Sequence, residues 1–136
     1  MRVGSSFGWK LKLGAMLAIS VAAWPVVAHS DEPALLDTLR RGGWDLRIRD
    51  DGSHQKICLR DGREFIQLRH RQPGCSQFVV EDKPGLVTIQ YTCRGNGYGR
   101  TTVRRETDEL VQIESQGIFN GVPFSFRGEG RYAGAC

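Results

Sequence analysis

The sequence predicts a mostly β domain, an antiparallel meander of about seven strands forming a curved sheet or partly closed barrel with one or two short helices. Three observations lead there. Apolar and polar residues alternate with period two in short runs, as in Trp44, Leu46 and Ile48 against Asp45, Arg47 and Arg49. Turn signals such as Asp51-Gly52 and Asn120-Gly121 punctuate those runs. Four cysteines, Cys58, Cys75, Cys93 and Cys136, all fall beyond the first 30 residues of a 136-residue chain. An even cysteine count in so small an exported domain reads as a disulfide framework.

Export is read from the opening stretch. Arg2, Lys10 and Lys12 precede an apolar run over 13–27, the form of a secretory signal peptide. That run is short for a bilayer span, which takes roughly 20 apolar residues. Val26 and Ala28 place a cut ahead of His29, with a cut after Ser30 as the runner-up and an uncleaved anchor as the alternative. The expected organisation is therefore a signal peptide over 1–28 and a single disulfide-held β domain over 29–136. Beyond the signal, 16 basic and 15 acidic residues leave a net charge of +1, so electrostatics gives no warrant for nucleic acid. Only Lys56 and Lys83 are lysines there, and arginine's planar guanidinium suits cross-strand ion pairs.

The elements follow in order. Ala34, Leu35, Leu36 and Leu39 predict one short helix ended by Gly42-Gly43. A strand over 44–49 turns at Asp51-Gly52 into a second over 54–59. Asp61 and Glu64 have capping-box spacing, and Phe65, Ile66 and Leu68 supply an apolar side, so a second helix is expected before Pro73-Gly74. Strands over 75–81 and 86–93 flank Asp82-Lys83-Pro84-Gly85 as a hairpin. Gly95-Asn96-Gly97 turns the chain into 100–106, and Thr107-Asp108 into 110–119. Asn120-Gly121 leads to a last strand through Phe124, Phe126 and Tyr132, with Pro123 restricting it to an edge or a strand start.

Two arguments bear on the cysteine pairing, and they disagree. Strand ends alternate in a meander, which brings Cys75 and Cys93 to one end of their hairpin and leaves Cys136 at the other. Bridged Cα atoms must lie within about 7 Å, favouring Cys75 with Cys93 and Cys58 with Cys136. Matching Phe78 and Val80 to Ile89 and Val87 instead puts Cys75 on the face opposite Cys93. A bulge near Pro73-Gly74 repairs parity, whereas nothing small repairs distance, so the first pairing is expected.

Gly43-Trp44 opening a strand, an isolated cysteine after the second strand, the spaced pair Cys75 and Cys93, and the closing Gly134-Ala135-Cys136 resemble the exported bacterial family known as domain of unknown function 3617. The resemblance implies a secreted or periplasmic β-rich domain with conserved cysteines and no known activity. This chain departs from it in its helix-like leader, its arginine-rich strands and the segment Tyr98-Gly99-Arg100-Thr101-Thr102.

Several constellations bear on chemistry. His54, Cys58, His70 and Cys75 offer the two imidazoles and two thiols of a tetrahedral zinc site. Their spacing fits no compact knuckle and the compartment is oxidising, which favours two disulfides with surface histidines. The acidic pairs Asp50-Asp51 and Asp108-Glu109 fall at turns and read as turn chemistry, not acid–base catalysis. The glycine-rich run at 95–99 precedes a strand, where a phosphate cradle needs a helix. Tyr91, Phe119, Phe124, Phe126 and Tyr132 either line a cup for an apolar ligand or form the core; small barrels favour the core. No enzyme activity, cofactor, metal or nucleic-acid partner is expected, and no membrane span after signal cleavage. The expected role is a non-catalytic periplasmic module that binds an envelope component, a partner protein or a small apolar molecule. The alternative is an inhibitor of a cell-wall hydrolase, since Tyr91-Thr92-Cys93 and Gly130-Arg131-Tyr132 resemble segments of periplasmic lysozyme inhibitors. Tyr91, Arg131 and Tyr132 would then form the ligand or partner surface.

Overall fold

A computed structural model describes Gly4 and residues 33–136; the expected signal peptide over 1–28, Gly4 apart, and its cleavage site lie outside the described residues. One turn of helix, α1 (Ala34–Asp37), precedes seven strands: β1 (Gly42–Ile48), β2 (His54–Leu59), β3 (Ser76–Lys83), β4 (Leu86–Cys93), β5 (Gly97–Thr107), β6 (Leu110–Phe119) and β7 (Val122–Gly134). They form one antiparallel sheet in the order β2-β1-β7-β6-β5-β4-β3, which is not closed. The meander therefore runs from β3 to β7 and then joins the β1–β2 hairpin through β7, leaving β2 and β3 as the two edges.

This order explains Pro123. β7 is an interior strand, but β1 pairs only with its residues Gly128–Gly134, so the first half of β7 has a neighbour on one side alone. Proline's missing N–H costs nothing there. Arg49 N–H closes the step by donating to the Arg127 carbonyl at 2.8 Å, and the Asp50 carboxylate accepts from Arg127 N–H at 2.8 Å.

The segment from Arg60 to Cys75, here called the strap, links the two edges and lies over the inner face. The expected second helix is only a 3-10 turn, Arg63–Phe65. The capping contacts do form, with Asp61 Oδ1 accepting from Arg63 N–H at 3.0 Å and Glu64 Oε2 from Asp61 N–H at 3.5 Å. A regular helix cannot start at Asp61, because Gly62 sits at φ +84°, where a Cβ would press on Leu36 at 2.8 Å. The first helix is likewise shorter than Gly42-Gly43 suggested, ending at Asp37, with Leu35, Leu36 and Leu39 buried.

Inner-face positions supply the core: Trp44 and Leu46 of β1, Ile57 and Leu59 of β2, Val87, Ile89 and Tyr91 of β4, Val103 of β5, and Val111 and Ile113 of β6. Phe65 from the strap packs edge-on to Trp44 with ring centroids 5.3 Å apart, while the Trp44 indole N–H donates to the Arg40 carbonyl at 2.8 Å. Burying a ring of that size stabilises the fold by about 1.5–3 kcal/mol. Gly99 matters beside it, because the Tyr91 ring lies across β5 where any Cβ at Gly99 would stand.

The cysteine pairing is as expected, but the parity argument fails for a specific reason. Cys75–Cys93 has its Cα atoms 4.4 Å apart, and Cys58–Cys136 5.7 Å. The bulge lies between Val79 and Glu81, not near Pro73-Gly74. Val79, not Phe78 or Val80, faces Ile89; Ser76 pairs with Thr92, and the next step along carries Cys75 to Cys93. Phe78, taken as an inner residue from its alternation, is 70% exposed.

Candidate functional site

The strap meets the sheet through a buried polar network. Thr101 hydroxyl donates to the Ile66 carbonyl at 2.7 Å, and Ser115 hydroxyl donates in turn to Thr101 Oγ1 at 2.8 Å. His70, 1% exposed, has both ring nitrogens engaged. Its Nε2 lies 3.1 Å from the Asn96 carbonyl, which can only accept, so that nitrogen carries the proton. Nδ1 then accepts from the Tyr91 hydroxyl at 3.0 Å. The tautomer thus follows from the partners. Burial pushes the Tyr91 phenol up to about 12, with the Ser115 hydroxyl partly opposing it, so Tyr91 stays a neutral donor.

The imidazole also sits among three aromatic rings, with centroids 5.2 Å from Tyr91, 5.0 Å from Phe119 and 5.9 Å from Phe124. Phe124 and Phe126 stack at 6.3 Å. The aromatic cup is thereby filled from within by His70, as packing requires. His70 is accordingly not a surface histidine, whereas His54 is exposed at the start of β2. His54, Cys58, His70 and Cys75 are not gathered into one site. The two cysteines are bridged elsewhere, and no group of three or more metal-ligating side chains stands among the described residues.

The three surface residues are placed apart. Tyr91 is buried beneath the strap, Arg131 is exposed on the outer face with its Nε 2.7 Å from Glu129 Oε1, and Tyr132 turns inward against Trp44 at 6.0 Å. The Arg40 guanidinium lies 4.3 Å over the Tyr132 ring. Adjacent strand positions face opposite ways, so Arg131 and Tyr132 cannot share a surface.

The acidic turns behave as turns. Asp51 accepts from Ser53 N–H at 2.9 Å and Ser53 hydroxyl at 2.6 Å, which holds its carboxyl below the usual range, with Arg69 adding a little. Glu109 pairs with Arg40. The glycine-rich run at 95–99 turns β4 into β5, and its Asn96 carbonyl is shared by His70 and by Asn120 N–H at 2.9 Å. Arginine ion pairs do cross between elements, as in Arg49–Glu129 at 3.6 Å and Arg127–Asp50 at 3.7 Å. Others run along one strand, as in Arg104–Glu106 at 3.1 Å.

What the sequence reasoning missed is the character of the surface. Among the described residues the exposed large apolar side chains are Phe78 and Val80 on edge strand β3, Tyr98 on β5 and Val122 at the start of β7. An open hollow of about 410 Å³ lies between the strap and β2, lined by Lys56, Arg60, Arg63, Glu64, Gln67 and Arg71 among others. Acidic residues are also placed unevenly between the two ends of the sheet, an asymmetry hidden in a net charge of +1. Plotting acidic residues along the chain would have found it, since none occurs in 65–80, 89–103 or 115–128. Compared with known proteins, this chain matches no family model, no curated protein and no solved structure.

Proposed function

We propose that the chain is an exported, non-catalytic binding module of the cell envelope, working in the periplasm or outside the cell. The observation that carries this reading is the commitment of the interior polar groups. His70, Tyr91, Thr101 and Ser115 are buried and hydrogen-bonded to one another or to backbone carbonyls, so the described interior is organised for rigidity. Large apolar side chains meanwhile stand exposed on an edge strand and near turns, the positions from which sheets recruit partners. Two disulfides suit an oxidising compartment, and the opening of the chain has the form of an export signal. Kinship with the domain of unknown function 3617 family belongs to the same proposal, resting on Gly43-Trp44, Cys58, Cys75, Cys93 and Gly134-Ala135-Cys136.

Expression of the full chain in a Gram-negative host tests this. The chain recovered from the periplasm should begin near His29, and its intact mass should rise by two hydrogens per bridge on reduction. Native mass spectrometry should show a reproducible non-covalent adduct. Recovery from the cytoplasm with 1–28 retained and thiols free would refute the proposal.

A further inference from the structure

We propose that the end of the sheet carrying the Cys75–Cys93 bridge docks on the surface of an anionic phospholipid bilayer. This deepens the reading above, since it rests on the chain being exported to the envelope.

Three segments compose that end: strap residues 69–75, the β4–β5 turn and the β6–β7 turn. They are tied into one surface. His70 Nε2 and Asn120 N–H both donate to the Asn96 carbonyl, the Asn96 side chain bonds Gln72, and Cys75 is bridged to Cys93. The surface is therefore preformed.

Its charge is mostly positive, although Asp51 lies close enough to Arg69 to interact with it and Arg100 shares a hollow with Asp50 and Glu114. Arg69, Arg71, Arg94 and Arg100 are exposed here and form no ion pair among the described residues. The opposite end mixes signs: Glu81, Asp82, Glu106, Asp108 and Glu109 lie at its turns, and Arg40, Lys83 and Arg104 are paired there. A chain of near-zero net charge thus has one end poor in acids, where four exposed arginines stand outside any ion pair among the described residues, and one where the signs are mixed.

The same end exposes apolar side chains beside the arginines. Val122, next to the Asn120-Gly121 turn on the inner face, is 65% exposed, and Tyr98, on the outer face with Arg100, is 46% exposed, so the two flank the tip of this end from opposite sides. The Arg69 guanidinium lies 6.0 Å from the Phe124 ring. Arginine, tyrosine and an aliphatic tip form the composition that settles at a lipid headgroup boundary, cations on phosphates and apolar atoms among the acyl chains below. A soluble polyanion would use the arginines and leave Val122 without a role, so the observations favour the bilayer.

Each basic residue near an anionic surface changes partitioning by about five-fold. The protein recovered from the periplasm should sediment with vesicles of phosphatidylglycerol in phosphatidylcholine and not with phosphatidylcholine alone, with binding weakened by salt. R71Q/R94Q should lose about 25-fold, while R71K/R94K should retain binding and so exclude misfolding as the cause. R41Q/R105Q, which removes the same charge elsewhere, should stay within about two-fold. V122S should weaken binding at every salt concentration. Equal binding to both vesicle types, or equal losses from the two glutamine pairs, would overturn the proposal. So would heparin binding that outcompetes the vesicles and ignores V122S, which would assign the end to a soluble polyanion. A bridged, periplasmic chain that fails to bind vesicles sinks this proposal alone; a reduced cytoplasmic chain sinks the reading beneath it.

Discussion

The two ends of the sheet each carry one disulfide, yet different chemistry holds them. At one end Cys58–Cys136 reaches across β1 to tie β2 to the end of the chain, both cysteines are exposed, and the neighbouring contacts are surface ion pairs such as Arg60–Glu64 at 3.1 Å. At the other end Cys75–Cys93 is largely covered, and beside it His70, Tyr91 and Asn96 form a buried network under a surface whose strap and turn segments carry no acid of their own. Exposed ion pairs stabilise by about 0–1 kcal/mol each, whereas a buried, fully satisfied network fixes geometry. The comparison teaches that one end is fastened mainly by its covalent bridge. The other is rigid through its interior and leaves Arg69, Arg71, Arg94 and Arg100 outside any ion pair among the described residues.

Removing the bridges sharpens that contrast first. Replacing Cys58 and Cys136 by Ala opens a link across 78 residues, which chain entropy values at about 4.5 kcal/mol. Replacing Cys75 and Cys93 opens one across 18, worth about 3 kcal/mol by the same relation. Urea unfolding should rank the two in that order. A larger loss from the short link would mean that the covered bridge also organises the network beside it.

His70→Ala comes next. It deprives the Tyr91 hydroxyl of its acceptor in a buried site, at a cost of about 1–3 kcal/mol. Less than about half of one kcal/mol in thermal unfolding would show that the strap is not held by this residue. Alkaline pH probes the same end more gently. Tyr91 ionises at about 12 in the folded chain against an ordinary 10, so its contribution is fully present below pH 10 and is lost as pH rises toward 12. Ultraviolet titration should place Tyr91 ionisation above the ordinary tyrosine range, and its ionisation near pH 10 would contradict the packing. The smallest effect belongs to Arg131→Ala on the outer face, which should change stability by less than about 1 kcal/mol because its Glu129 contact is solvent-exposed.

How much of this was legible in the sequence depended on which physical signal was needed. The limits of β2, β4 and β6 follow from period-two alternation bounded by turns, and the structure has them at the same residues. Alternation reports which face a side chain takes and says nothing of which strand lies beside it, so the β1–β7 pairing was hidden. It also fails at a bulge: no residue type marks the slip between Val79 and Glu81, and Phe78 therefore looked like core. The cysteine pairing was readable because Cα separation is a stricter constraint than parity. His70 lay beyond reach for another reason. Flanked by Arg69 and Arg71 it reads as surface, and only a strap folded back over glycine-containing strands gives it a buried slot against Tyr91. The surface at that end was missed because net charge averages over ends that topology separates.

Amide hydrogen exchange on the oxidised protein, with and without vesicles containing phosphatidylglycerol, tests the two-ended account most directly. The account predicts added protection confined to residues 69–75, 93–98 and 118–124, with the turns at 83–86 and 107–110 unchanged. Protection at those latter turns, or a uniform change across the sheet, would contradict it.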